Sequence, residues 1–194
     1  KRRVPIFPGY DWVRDCAHSL GFGDRGAAKS ILKAWYQPFV DYGSLVFDIG
    51  ANHGANTDAF LSLNTTVDSI EPNSECCGIL KRRFLYRKAV VELCVVGSVQ
   101  GTARLRVGTN DTLATISSDW AQRRSSKGRF LEDKVIRTEE VPVKTFDELA
   151  ATHGHPHFVK VDVEGFELEV FRGMSKMPPA ICFEFNGEAI DIAS

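Results

Sequence analysis

The feature that most constrains the fold is a short apolar run that ends on an acid and continues through small residues. It reads LVFDIGANHGANTDAFL and begins at Leu45. A short continuous apolar run is typical of a strand buried on both faces of a parallel sheet. The glycines that follow permit backbone angles and close approaches that a Cβ would block. A strand, a glycine turn and a helix in this order indicate that a ligand lies against the turn.

Strand-like and helix-like segments alternate along the rest of the chain. Buried strands are predicted at 45–50, 67–73, 88–98, 157–166 and 180–188, and helices at 56–63, 74–84 and 167–174. This alternation predicts right-handed crossovers and a doubly wound, mainly parallel α/β sheet. The segments 102–108 and 133–146 alternate apolar and polar residues, which is typical of an antiparallel insertion. Thr145 with Glu148 forms a capping-box pattern that predicts a short helix after this insertion.

The first 44 residues lack this alternation, and they predict a helical N-terminal segment at 1–44 with helices at 12–20 and 27–36. The formal net charge of −1 predicts no general affinity for nucleic acid or anionic membranes. No apolar run reaches the roughly 18 residues of a membrane span. Five cysteines, two of them adjacent, make a poor disulfide framework, so free thiols and a cytoplasmic compartment are expected.

Two cofactors suit a glycine turn at this place. Glu71 ends the second strand 21 residues after Gly50, a position from which a carboxylate reaches ribose hydroxyls. A nicotinamide dinucleotide requires G-x-G-x-x-G, whose middle glycine lets the backbone approach the pyrophosphate. Asn52 holds that position here. S-Adenosylmethionine has a ribose but no phosphate, and Asp48 suits its cationic part, so the methyl donor is favoured over the dinucleotide.

Several longer motifs carry a family resemblance. FDIGANHGANT, SIEPN, VPVKTFDEL, FVKVDVEGFELEVFRG and ICFEFN occur in this order. They resemble the FkbM family of S-adenosylmethionine-dependent methyltransferases over about residues 45–186. The resemblance implies a Rossmann-like methyltransferase fold and, mostly, O-methylation of sugars or other hydroxylated small molecules. The full fold ends in an antiparallel hairpin, for which the residues after Asn186 are too few, so a C-terminally incomplete methyltransferase domain is expected at 45–194.

The same resemblance assigns site residues by position. Cofactor binding falls on the glycine turn and on the end of the second strand, at Asp48, Gly50, Ala51, Asn52, Gly54, Glu71 and Pro72. Two further acids, Asp162 and Glu164, correspond to those at the end of the fourth strand.

The fourth strand supplies the candidate catalytic residues. Strand alternation places Lys160, Asp162 and Glu164 on one side, where the strand opens into the cleft. Transfer to an alcohol needs a base as charge develops, and Asp162 or Glu164 suits that role. His53, within the turn, is a third candidate. Alternatively, Lys160 and Asp162 form an ion pair that orders the strand.

Two other polar segments contain candidate site residues. The side chains of Asn110, Thr112, Thr115 and Trp120 are candidate contacts to a sugar-like acceptor, although turn chemistry explains the first of them equally well. The triplet HGHPH resembles a metal site in its spacing. It precedes the fourth strand, however, and so belongs at the amino ends of the strands, opposite the cleft. No metal is therefore predicted.

Three functions remain open from the sequence. The first is methyl transfer from S-adenosylmethionine to a hydroxyl of a small molecule, sugar or natural product. The second is N-methylation of a peptide or protein. The third, from another class, is a cofactor-binding module without catalysis. The sequence leaves the oligomeric state open.

Overall fold

The computed structural model describes residues 25–108, 114–117, 136–163 and 165–183. Its helices are α1 (Arg25–Tyr36), α2 (Ala55–Leu61), α3 (Ser74–Arg83), α4 (Phe146–His153) and α5 (Glu167–Arg172). Its strands are β1 (Leu45–Ile49), β2 (Thr66–Ile70), β3 (Ala89–Glu92), β4 (Val95–Gly97), β5 (Gly101–Val107), β6 (Ala114–Ser117), β7 (Arg137–Thr145), β8 (Phe158–Val161) and β9 (Ala180–Phe183).

Five strands form a wholly parallel sheet in the order β3-β2-β1-β8-β9. The chain moves outward from β1 in one direction through β2 and β3, and returns on the other side of β1 as β8 and β9. This reversal confirms the predicted doubly wound, Rossmann-like fold. It also places the switch point between β1 and β8, where open α/β sheets bind their ligands.

Both faces of the parallel sheet are covered, as the continuous apolar strands predict. Side chains from α1, α2 and α3 pack with Val46, Val67 and Phe158 on one face. Side chains from α4, α5 and β4 pack with alternate strand residues, such as Phe47 and Val159, on the other face. Apolar side chains thus pack against both faces of the sheet.

The antiparallel insertion is confirmed, but its boundary differs from the prediction. A second sheet has the order β4-β7-β5-β6, in which β5 pairs antiparallel with β6 and β7. The segment 88–98, predicted as one strand, divides: β3 pairs with β2, whereas β4 pairs in parallel with β7. Apolar content could not show this division because apolar residues stand on both sides of it, in AVVE and in VVG.

Element ends were predicted less well than the elements themselves. Helix α3 begins at Ser74, as predicted, and is capped by Asn73, whose side chain accepts from the backbone N–H of Glu75. The capping box of Thr145 and Glu148 is confirmed. Strand β8 ends at Val161, so Asp162 follows it on a loop. The helix predicted at 12–20 lies outside the described residues.

The cysteines of the described residues are free, with three of them buried: Cys76, Cys77 and Cys94. Burial raises the pKa of Cys77 and of Cys94 to about 12, so both remain protonated thiols. Cys182 is partly buried. Within the described ranges, none of the helices has the length and apolar character needed to span a membrane.

Candidate active site

The turn after β1 combines left-handed backbone with very close packing. Gly50, Asn52 and Gly54 have φ values of 80°, 49° and 81°. A Cβ at Gly50 would lie 1.8 Å from the backbone carbonyl oxygen of Asp162. Asn52 occupies the left-handed region that asparagine adopts more readily than most residues. The sequence of the turn therefore follows from its shape, including the asparagine where dinucleotide sites have glycine.

Replacing Gly50 by alanine should destabilise the fold by about 2–3 kcal/mol, because both the φ and the contact with Asp162 disfavour a side chain. Gly101→Ala is the matched control, since a Cβ there meets nothing within 4 Å. Urea unfolding of both variants measures the difference. Equal stability of the two variants would show that the turn can relax around the added methyl group.

Asp48, the last-but-one residue of β1, is fully buried at the base of the turn. Its Oδ2 accepts a hydrogen bond of 2.6 Å from Thr57 Oγ1, which lies 2.9 Å from Ser69 Oγ. Its Oδ1 has no hydrogen-bond donor among the described residues, and Lys160 Nζ lies 3.7 Å away. Burial raises the pKa of Asp48, and Lys160 and Thr57 partly offset that rise.

Glu71 follows β2, and its carboxylate hydrogen-bonds both to the turn after β1 and to the loop after β2. Its Oε2 accepts from the backbone N–H of Asn52 at 2.8 Å, and its Oε1 accepts from that of Asn73 at 2.9 Å. Burial raises the pKa of Glu71, while the two N–H groups favour its ionised form. Each oxygen accepts one hydrogen bond from these loops and keeps a second lone pair. The carboxylate can therefore also accept hydrogen bonds from a ribose.

Lys160 and Asp162 form an ion pair beside the turn. Lys160 Nζ lies 3.0 Å from Asp162 Oδ2 and donates to the carbonyl oxygen of Gly50 at 3.2 Å. Burial lowers the pKa of Lys160, but Asp162 and Asp48 outweigh this effect and raise it above its ordinary value. The lysine side chain is 6% exposed and the Asp162 side chain 21%. The carboxylate of Asp162 is thus the accessible end of the pair.

These groups fit S-adenosylmethionine. In the described part of the chain, the carboxyl groups of Asp48, Glu71 and Asp162 all interact electrostatically with the ammonium of Lys160, and carboxylates favour a cationic ligand. Glu71 has free lone pairs for the ribose. The buried Oδ1 of Asp48 leaves one acceptor unused. The turn itself excludes a side chain at Gly50, as expected where backbone segments approach closely.

Comparison with known families decides the class. The sequence model of the methyltransferase FkbM domain family matches residues 48–188, and this range includes every residue of the site described above. The chain belongs to the FkbM methyltransferase family. The predicted family is thus confirmed, and the match supports S-adenosylmethionine as the predicted cofactor. Family membership supports methyl transfer in general and does not identify the acceptor.

Solved methyltransferases show partial likeness. A Pyrococcus horikoshii protein assigned as an RNA methyltransferase is 27% identical over 34% of this chain and 35% of its own, with a TM-score of 0.31. A Leishmania major S-adenosylmethionine-dependent methyltransferase is 20% identical over 41% and 34%, with a TM-score of 0.31. The glycopeptide N-methyltransferase MtfA, complexed with sinefungin, is 9% identical over 64% and 73%, with a TM-score of 0.29.

The FkbM domain spans about a third of the length of the first two structures. RNA is the assigned acceptor of the Pyrococcus horikoshii protein, and a glycopeptide is that of MtfA. No acceptor of this chain follows from them. None of the curated proteins compared with the chain matched it.

The remaining predicted residues fall in different places. His53 is exposed within the turn, where its carbonyl oxygen accepts from Arg83 Nη1 at 2.7 Å. The backbone of Thr115 pairs with Arg106 in the second sheet. Pro72 lies, partly buried, in the loop between Glu71 and Asn73. The other candidates lie outside the described residues: Glu164, Asn110, Thr112 and Trp120.

The three histidines of HGHPH contact three different groups. His153 Nε2 lies 3.1 Å from Glu92 Oε1, and its Nδ1 lies 3.5 Å from Asp68 Oδ2. Burial raises the pKa of Asp68 to about 6, and the neighbouring histidine opposes that rise. His155 lies 3.3 Å from a backbone carbonyl oxygen, and His157 pairs with an exposed aspartate. The triplet therefore does not converge on one point.

Sequence reasoning missed the groups that hold the two acids. Thr57 and Ser69 anchor Asp48, and Asn73 anchors Glu71. An asparagine before a helix is a capping signal, so Asn73 could have been found from the sequence. Thr57 lies inside an ordinary helical pattern, and no local signal distinguishes it.

Proposed function

We propose that this FkbM domain transfers a methyl group from S-adenosylmethionine to a hydroxyl of a small molecule, sugar or natural product. Asp162 is the proposed group that binds the hydroxyl and takes its proton. Glu71 is the proposed ribose ligand, and the Asp48–Gly54 turn is the proposed seat of the rest of the cofactor. Glu164 and His53 are further candidates for the base.

The observation that carries the proposal is the position of Asp162. Its carboxylate follows β8, at the switch point of the sheet, and its backbone packs directly on Gly50 of the cofactor turn. It is also the accessible partner of its ion pair, with 21% of the side chain exposed. A carboxylate in that place supports an acceptor that arrives with a proton to lose.

The residues of the chain then have separable tasks. When bound, S-adenosylmethionine supplies an electrophilic methyl group. Asp162 accepts the hydrogen bond of the acceptor hydroxyl and orients its oxygen, and positioning of this kind lowers the barrier substantially. Lys160 Nζ, 3.0 Å from Asp162 Oδ2, holds the carboxylate in place, and the carboxylate is the proposed acceptor of the proton as charge develops. The hydrogen bond from the backbone N–H of Asn52 to Glu71 joins the turn to the end of β2.

The test is a mass-spectrometric screen with an isotope-labelled methyl donor. The chain is incubated with pools of sugars, hydroxylated natural products, amines and peptides, and products that gain one labelled methyl group are identified. Labelled ethers support the proposal. Labelled amines or amides would replace it with N-methylation. Binding of the donor without any labelled product, across pools that include the host's own extract, would favour the cofactor-binding module.

Removal of metal ions should leave methyl transfer unchanged. Acids and one lysine form the site, and no cluster of metal-ligating side chains was found among the described residues. Turnover after treatment with EDTA, compared with turnover after added zinc or magnesium, measures the effect. Loss of turnover that a metal restores would contradict this description of the site.

A further inference from the structure

Arg137, the first residue of β7, joins the second sheet to the loop after β2. Its guanidinium donates three hydrogen bonds in different directions. Nη2 donates to Asn73 Oδ1 at 2.9 Å, Nη1 to Glu75 Oε2 at 3.1 Å and Nε to Glu139 Oε1 at 2.6 Å. The side chain is 31% exposed, so this fork lies at the surface with its polar end turned toward the loop.

Asn73 connects this fork to the proposed ribose ligand. The residue is fully buried, and its backbone N–H donates to Glu71 Oε1 at 2.9 Å. Its side-chain oxygen accepts from Arg137 and from the backbone N–H of Glu75. Asn73 thus holds Glu71 through its backbone N–H, while two donors hold the side chain of Asn73. Glu71 in turn receives its other hydrogen bond from Asn52, in the cofactor turn.

We propose that Arg137 is a positioning residue for cofactor binding: it fixes Asn73, and through Asn73 it orients the carboxylate of Glu71 toward the ribose. The inference rests on the proposed role of Glu71 as the ribose ligand. It assigns a function to the antiparallel insertion, since the strand that carries Arg137 belongs to the second sheet. The cofactor site is then completed by both sheets.

Charge and geometry both favour arginine at this position. A guanidinium presents its donors in a rigid planar fork, whereas an ammonium acts as a point charge. Arg137 also balances the carboxylates of Glu75 and Glu139. Without Arg137, Glu75 and Glu139 would lose the cation that joins them among the described residues, and the side-chain oxygen of Asn73 would lose one donor. The loop that holds Glu71 would then sample other orientations.

The decisive measurement compares two ligands. S-Adenosylhomocysteine carries the ribose hydroxyls, and its 2′,3′-dideoxy analogue lacks them. Calorimetry of both ligands is done with the wild type, Arg137→Gln, Glu71→Gln and the double variant. We expect Arg137→Gln to weaken S-adenosylhomocysteine about five- to tenfold, the size of one hydrogen bond, and to leave the analogue nearly unchanged. The double variant should bind like Glu71→Gln alone, because Arg137 acts through Glu71.

Two further variants separate positioning from bulk charge and stability. Arg104→Gln removes an arginine from the same sheet, where it lies 3.8 Å from Glu140 and both side chains are 70% exposed, and it should change neither affinity. Arg137→Lys keeps the charge without the fork, so its affinity for S-adenosylhomocysteine should lie between those of the wild type and Arg137→Gln. Melting curves of all variants are recorded on the same samples.

The outcomes separate a failure of the role proposed for Arg137 from a failure of Glu71 as the ribose ligand. If Glu71→Gln weakens both ligands equally or neither of them, the ribose assignment of Glu71 fails, and the inference with it. If Glu71→Gln discriminates between the ligands but Arg137→Gln does not, the inference alone fails. Equal weakening of both ligands by Arg137→Gln, with a lowered melting temperature, would also overturn it, because Arg137 would then serve stability only.

Discussion

Asp162→Asn should lower the single-turnover rate of methyl transfer by about 10²- to 10⁴-fold, the usual contribution of a general base. Asparagine keeps the shape of the side chain but cannot take the proton of the acceptor hydroxyl. The affinity for S-adenosylmethionine should change little, because Asp162 is proposed to face the acceptor. The rate is measured with the acceptor identified by the labelling screen, and the affinity by calorimetry on the same preparation.

The ion pair with Lys160 offers a competing explanation for a slow variant. If Asp162 served only to hold Lys160, the variant would melt at a clearly lower temperature and keep its rate when folded. Asp41→Asn is the control for loss of a carboxylate, since that side chain is 79% exposed and contacts only His157 among the described ion pairs. A folded variant with an unchanged rate would remove Asp162 from the mechanism and leave Glu164 or His53.

The parallel sheet could be predicted because its signal is local. The runs at 45–50, 67–73 and 157–166 are each followed by a turn and a helical pattern. The switch point followed from the glycine turn and the acid after the second strand. Consistent local signals of this kind are what specify a fold. The family resemblance strengthened the same interpretation without changing it.

The division of residues 88–98 could not be predicted because it depends on pairing partners. Val95 and Val96 lie opposite Val143 and Lys144, which are distant in sequence. No alternation or breaker separates them from β3, and the whole run contains apolar residues suited to either sheet. Periodicity shows which faces are buried but not which strand lies alongside.

The candidate site shows the same limit. Asp48, Glu71 and Asp162 were predicted because acids at the ends of buried strands stand out. The residues that bind these acids and hold them in place carry no comparable signal. Arg137, for example, donates to Asn73, which is 64 positions away in the sequence. Alternation correctly placed Lys160 and Asp162 on one side, but the sequence left open whether they pair. Their distance of 3.0 Å decides that they do, while the catalytic role of Asp162 stays a prediction.

Lys160→Met should cost about 3–5 kcal/mol of the free energy of unfolding at neutral pH, because it removes one partner of a buried charge cluster. Asp48 is fully buried, and Lys160 Nζ is its neighbouring cation at 3.7 Å. Methionine fills a similar volume but removes the positive charge that Lys160 places beside Asp48 and Asp162. Lys144→Met is the matched control: its ion pair with Glu92 is 37% and 22% exposed, so the loss should stay below about 1 kcal/mol.

The dependence on pH distinguishes a charge effect from a packing effect. Burial already raises the pKa of Asp48 above its ordinary 3.8, and Lys160 is the largest influence that lowers it. Without Lys160 the pKa of Asp48 rises further. A carboxyl group whose folded pKa is raised contributes stability that is fully present below its unfolded pKa and is lost as the pH rises through the folded pKa. The deficit of Lys160→Met relative to the wild type should therefore grow with pH across that window.

Urea unfolding of the wild type and the variant, from acidic to neutral pH, measures this difference. Adding Asp48→Asn to Lys160→Met should recover part of the loss at neutral pH, because the buried charge without a partner is then gone. A deficit that is the same at every pH, and that the second substitution does not reduce, would show that Lys160 stabilises the fold through packing. The charges around Gly50 would then serve the ligand and not the stability of the protein.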